Sequence, residues 1–253
     1  MSDATALIAT RSGATLHLRL NRPDKGNALS AELVGALTAA VQAASADDSL
    51  RLLVLSGEGR HFCTGFDLSD LGDETDDSLL ARFTRVELLL QAVHAAPFTT
   101  LALAHGRTMG AGADLFAACS ERWVVDEAQF AFPGVGFGLV LGTSRLGDLV
   151  GAQQAAQWLQ SGATVDHPTA LQARLATRTV PADALNDALN ALQERVQRLD
   201  STAYRAIHAA LGTARRPRGD AGDAQDLARL VQSAARAGLR ERIVSYRAAQ
   251  RKS

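Results

Sequence analysis

One carboxylate and a run of small residues meet in HGRTMGAGADLF, residues 105–116. Gly110, Ala111 and Gly112 precede Asp114, and the apolar Leu115, Phe116, Ala117 and Ala118 follow it. A second segment has the same plan: LVLSGEGRHFCTGFDL, residues 53–68, runs from an apolar stretch into a turn at Gly65 and Phe66. Small side chains let a ligand approach the backbone, so peptide N–H groups in such loops can point outward at it. Two N–H groups converging on one oxygen form an oxyanion hole, which stabilises charge developing on that atom. A helix beginning at Ala111 would add positive potential from its dipole. For either loop alone, close strand–helix packing accounts for the glycines. Both loops together, at the ends of parallel strands, point to a site.

Other chemistries find no support. Neither GAGADL nor GVGFGLVLG completes G-x-G-x-x-G, and the chain has no P-loop, G-x-S-x-G elbow or H-E-x-x-H. His94, His105 and His167 lack companions at ligand spacing, so no metal site is expected. His61 and Cys63 flank the first loop; the histidine is expected to face solvent or ligand and the cysteine to pack.

The elements that must carry these loops alternate. TLHLRL (15–20) alternates apolar and polar residues and predicts a strand, followed by a turn-rich NRPDKGNAL. Ser30 is placed to cap a helix whose inner face is Leu33, Val34, Leu37 and Val41. LRLLVLSG (50–57) and TTLALAH (99–105) read as buried parallel strands, and residues 79–95 and 111–119 as helices. LSDLGDETDDSLL (68–80) reads as an acidic loop, and RWVVD (122–126) and QFAF (129–132) as two short strands. From about residue 143 the pattern turns helical. A glycine stop falls at Gly162, Pro168 sits in a first helical turn, 181–199 forms a periodic helix, 212–224 a polar loop, and 225–250 a helix. Strand–crossover–strand repetition gives an α/β core with a helical C-terminal region.

Composition bounds the partners. With 253 residues, 47% of them hydrophobic, the chain can bury a sizeable core. A net charge of -1 and 5% aromatic residues offer neither a basic field nor stacking surfaces for nucleic acid. No stretch has the apolar length to span a bilayer, and MSDATALIAT has no basic start and apolar run of a signal peptide. Cys63 and Cys119 match no disulfide or zinc spacing, so a reduced, cytoplasmic setting is expected.

LNRPDKGNALS, GRHFCTGFDLSDL, HGRTMGAGADLFAACS and AQFAFPGVGFG, in this order and spacing, resemble the crotonase superfamily, the enoyl-CoA hydratase/isomerase family. The likeness covers nearly the whole chain and weakens beyond about residue 200. It implies a crotonase-like ββα spiral core over residues 1–195 and a helical oligomerisation region over 196–253, with assembly as a trimer or dimer of trimers. It implies an acyl-CoA thioester as substrate and no cofactor beyond the substrate's own coenzyme A. By position, the two oxyanion N–H groups fall on Phe66 and Ala111, the latter usually glycine in the family. Gly65 and Gly110 shape those turns. Asp67 and Leu68 would line the adenine and pantetheine channel, and Arg22 and Lys25 are candidates for the coenzyme A phosphates.

Hydratases of the family use two glutamates around one water. The first aligns with Asp114, one methylene shorter. The second aligns with Gly134, which has no side chain. Glu87 is the best substitute, with a surface helix charge as the favoured bland reading; Arg145 reads as structural. The resemblance therefore implies a hydratase/isomerase-type enzyme with Asp114 as proton carrier. The alternative is an acyl-CoA binding member without turnover.

Overall fold

The computed structural model describes residues 5–215 and 219–250. Strand β1 (Leu7–Ser12) pairs antiparallel with β2 (Thr15–Leu20), and from β2 onward strands and helices alternate. Helix α1 (Ala31–Ser45) leads to β3 (Leu52–Gly57), α2 (Asp76–His94) to β4 (Thr99–Met109), and α3 (Ala111–Ala118) to β5 (Glu121–Ala131). Strands β2, β3, β4 and β5 are parallel neighbours, as crossover helices require. Leu52 to Leu55 are all buried, the mark of a strand covered on both faces. The free edge of β5 takes two short strands. β7 (Arg178–Val180) pairs with its start, and β6 (Val165–Asp166) pairs antiparallel near its end. This mixed α/β architecture is the one expected.

Local rules explain the helix starts. The Ser30 hydroxyl accepts from the Leu33 N–H at 3.1 Å, a cap worth about 1 kcal/mol. Helix α2 starts at Asp76, earlier than the apolar periodicity predicts. Thr75 and Ser78 exchange side-chain and backbone hydrogen bonds there as a capping box. The predicted strands 122–126 and 129–132 are one strand. They look separate because Val125, Asp126 and Glu127 stand opposite His105 alone between two matched registers.

The C-terminal third departs most from expectation. Helix α4 (Thr143–Val150) opens the helical region near residue 143, α5 (Ala152–Ser161) and α6 (His167–Gln172) keep the predicted Gly162 stop and Pro168 start, and α7 (Leu185–Gln197) lies within the predicted 181–199 helix. Beyond them, the expected polar loop at 212–224 is mostly helix. Helix α8 (Ser201–Arg215) runs into it, and α9 (Gly219–Ala234) begins within it; residues 216–218 lie outside the described residues. The predicted 225–250 helix is broken before α10 (Leu239–Gln250). Helices α9 and α10 fold back on α2. Leu230, Ala234, Leu239 and Ile243 meet Leu71, Leu79, Phe83 and Leu139 in a second apolar core. Asp76 fastens α10: its carboxylate accepts the N–H groups of Gly238, Leu239 and Arg240 at 2.8–3.1 Å. Among the described residues, no helix is long and apolar enough to cross a membrane.

Candidate active site

Strand β4 ends at Met109, Gly110 turns the chain, and α3 starts at Ala111. The first N–H of a helix has no intrahelical acceptor, and Ala111 N–H has no other partner among the described residues. Gly65 and Phe66 lie alongside. Phe66 forms a parallel bridge with Leu29, in which Leu29 N–H donates to Gly65 O and Asp67 N–H to Leu29 O. The neighbours of a bridged residue make those bonds, so Phe66 N–H points away from Leu29 and also stays unspent. The sites resemblance assigned to the two oxyanion donors thus share one physical property.

Glycine draws these loops together. Gly65 has a φ of +102°, and a Cβ there would lie 2.7 Å from Met109 O and 3.6 Å from Ala111 N. A Cβ on Gly112 would lie 2.4 Å from Cys63 O. No other residue fits either position without moving backbone. Glycine therefore serves close packing, and that packing sets the Phe66 and Ala111 peptides on one cleft. The cleft encloses about 720 Å³ including its mouth, lined by Gly65, Phe66, Leu68, Gly110, Ala111, Asp114 and Gly134 of the predicted residues. Its remaining wall is mostly apolar, with Thr64 and Arg247 as its polar members. Phe83 of α2 stacks on Phe66 at 4.1 Å, Phe137 sits between Phe83 and Tyr246, and Leu139, Leu141 and Leu159 complete it. Tyr246 and Arg247 come from α10, so the C-terminal helices build the cleft as well as covering α2. Sequence patterning missed this, since nothing in α10 marks which face meets the cleft.

Asp114 is buried in the first turn of α3, 6% exposed. Among the described residues no donor bonds its carboxylate. Burial pushes its pKa up to about 8; Arg145 pulls the other way and Glu87 adds to the rise. Gly142 closes one side: a Cβ there would lie 2.2 Å from Asp114 Oδ1, and its φ of +64° already favours glycine. Gly134 also lines the cleft, and its Cβ direction is open, with Leu139 O at 3.6 Å and Leu139 Cβ at 3.9 Å.

Glu87 corrects the bland reading made from sequence. It is no surface charge but 1% exposed, and Arg145 holds it with two hydrogen bonds, 2.8 and 2.6 Å. The Gln91 amide donates to Glu87 Oε1 at 2.8 Å. Phe83, Glu87 and Leu90 recur at helical spacing, a signal that could have placed Glu87 on the inner face. Arg145, read from sequence as structural, is buried, and Glu87 is its ion-pair partner.

The binding candidates divide. Arg22 is committed to Asp67 at 2.7 Å and to Ala28 O at 2.5 Å. Asp67 further accepts from Ser69 N–H and Oγ–H. Neither lines the cleft. Lys25 is exposed on a 3-10 turn (Pro23–Lys25) with no ion pair among the described residues. His61 Nδ1 accepts from Arg107 N–H, and Cys63 is buried with its thiol pushed up to about 12 by that burial. Among the described residues, no His, Cys, Asp and Glu group could hold a metal ion.

Known proteins share this fold. The sequence profile of the enoyl-CoA hydratase/isomerase family matches residues 15–250. The chain is 30% identical over 223 residues to the 2,3-dehydroadipyl-CoA hydratase of Escherichia coli, covering 87% of each protein. It is 32% identical over 225 residues to an enoyl-CoA hydratase of Alternaria alternata, covering 87% of this chain and 73% of that one. The crystal structure of an enoyl-CoA hydratase/isomerase-type protein from Bordetella parapertussis superposes with a TM-score of 0.90 at 42% identity, over 97% of this chain and 99% of that one. A profile match over nearly the full length, on a parallel-rich sheet with C-terminal helices, places this chain in the enoyl-CoA hydratase/isomerase family of the crotonase superfamily.

Proposed function

We propose that the protein is an acyl-CoA enzyme that moves a proton between two carbons of the acyl chain. Phe66 N–H and Ala111 N–H receive the thioester oxygen, and Asp114 is the proton carrier. The observation that carries this reading is the cleft's charge inventory: among the described residues lining it, the one carboxylate is Asp114, beside two unspent N–H donors. The Asp114 carboxylate takes the proton from C2 of a 3-enoyl-CoA. The electron pair enters the thioester, and charge on its oxygen is met by the two N–H groups. The proton then returns at C4 as the double bond closes between C2 and C3. One carboxylate suffices, since the same group gives back what it took. Two-base hydration would need a second carboxylate where Gly134 stands. Lys25 is the cation proposed to meet coenzyme A phosphate, and the reaction calls for no metal or redox group.

A direct test is turnover of a 3-enoyl-CoA, followed by the absorbance of the conjugated 2-enoyl product. The carboxylate must be ionised to act. With its pKa raised to about 8, kcat/KM is expected to climb with pH and level off above about pH 8. A profile already flat at pH 6 would contradict this role. The empty position at Gly134 also favours a second reading, in which acyl-CoA binds without turnover. Tight binding with no product from 2-enoyl or 3-enoyl substrates would establish it.

Gly134 offers a converse experiment. Its Cβ direction meets only ordinary contacts, so Gly134→Glu is expected to fold and to supply the absent second carboxylate. Crotonyl-CoA hydration should rise by about 10²-fold, the low end of what a positioned acid or base contributes. An unchanged hydration rate in the folded variant would mean that this loop does not aim a side chain at the reacting carbons.

A further inference from the structure

The Glu87–Arg145 pair is buried, and the proposed reaction does not use it. A buried ion pair is a poor device for stability, because well-packed apolar residues of similar volume hold helices together as well or better. Yet α2 and α4 are joined by this pair, at 1% and 3% side-chain exposure. Its setting is specific. Gly142, the residue before α4, touches the Asp114 carboxylate, and Arg145 follows one turn later. Both partners are bidentate, so each charge is met in full. The Arg145 Nε is itself buried with no hydrogen-bond partner.

We propose that Glu87 and Arg145 are positioning residues that set the proton affinity of Asp114, the carboxylate neutralising a guanidinium that would otherwise hold Asp114 ionised. This rests on the reading of Asp114 as proton carrier. Other charges on the elements packed against α3 are poorly placed for this. His94 of α2 and Arg122 of β5 lie at its far end, against Ala118 O and Cys119 O. His105 of β4 binds Gly59 O, and Arg107 is exposed. Asp148 of α4 is exposed, as are Asp126 and Glu127 of β5, while Glu121 binds Arg195. Asp226 of α9 accepts from Ser144 and is paired with Arg229.

The consequence is a pair of opposite shifts. Glu87→Gln leaves the guanidinium charge unmatched, so Asp114 should titrate at least one pH unit lower. Arg145→Met leaves the Glu87 charge, so Asp114 should titrate higher. The readout is the infrared carbonyl band of the protonated Asp114 acid, assigned by its loss in Asp114→Asn and followed across pH in the full chain. It does not depend on turnover. Opposite shifts in the two variants support the proposal even if no enoyl-CoA is converted, in which case only the proposed activity falls. Folded variants whose band titrates as in the parent overturn it. If neither single variant folds, Gln91→Lys serves: the residue is half-buried, and lysine keeps a donor for Glu87 while drawing charge from Arg145. A shift of about half a unit downward is then expected, and an unmoved band overturns the proposal.

Discussion

Asp114→Asn is expected to lower 3-enoyl-CoA turnover by about 10²–10⁴-fold, the usual worth of a positioned acid or base, and to make the protein more stable. The two effects have one cause. The carboxyl is buried with no bonded donor among the described residues, and burial raises its pKa from 3.8 to about 8. The native state therefore binds this proton more tightly than the unfolded chain does. That contribution is complete below about pH 3.8 and is lost as pH rises through about 8. Near neutrality the native protein bears much of the loss, and asparagine has no charge to suppress. A net gain on the order of 1–2 kcal/mol is expected, because the buried amide recovers only part of the difference. In a chain of this size that corresponds to about 2–8 °C in Tm. The gap between variant and parent should widen from pH 4 to pH 8, read by thermal unfolding across pH. Lost activity with a lower Tm would instead identify Asp114 as a structural group.

Ala111→Pro is expected to remove the second oxyanion donor and little else. Proline is well suited to the first position of a helix, where its missing N–H bonds nothing and its fixed φ fits. Gly110 precedes it with a ψ of -127°, which keeps the Gly110 nitrogen clear of the incoming ring. Folding should thus be nearly unaffected, within about 1 kcal/mol. The ring Cδ would replace the N–H that faces the cleft. Loss of one oxyanion donor costs about 10²–10³ in kcat, or about 3–4 kcal/mol of transition-state stabilisation. Substrate affinity should change less, since the donor acts mainly on charge that develops during reaction. A variant with full kcat would exclude Ala111 N–H as an oxyanion donor. Equal losses in kcat and stability would show that the turn itself had been disrupted.

Features governed by neighbours in the chain were legible from residue types. Alternation in TLHLRL, the apolar run LRLLVLSG, the Ser30 cap and the Gly162 stop each report a local rule, and each marks an element that the structure contains. The two glycine-rich loops were legible for the same reason, because a bare turn between strand and helix is written in consecutive residues. What local rules could not supply was partnership over long separations. Glu87 looks like one more charge on an exposed helix until Arg145, 58 positions later, is brought onto it. The aromatic wall of the cleft needs Phe66, Phe83, Phe137 and Tyr246, drawn from four separate segments. Helix α10 finds its place through the Asp76 carboxylate, more than 160 residues earlier. Sequence alone determined that this chain would fold as alternating strands and helices, with two bare peptides and one aspartate at their ends. The tertiary structure decided the proton affinity of that aspartate, because burial and the fields of Glu87 and Arg145 exist only once α2, α3 and α4 are packed.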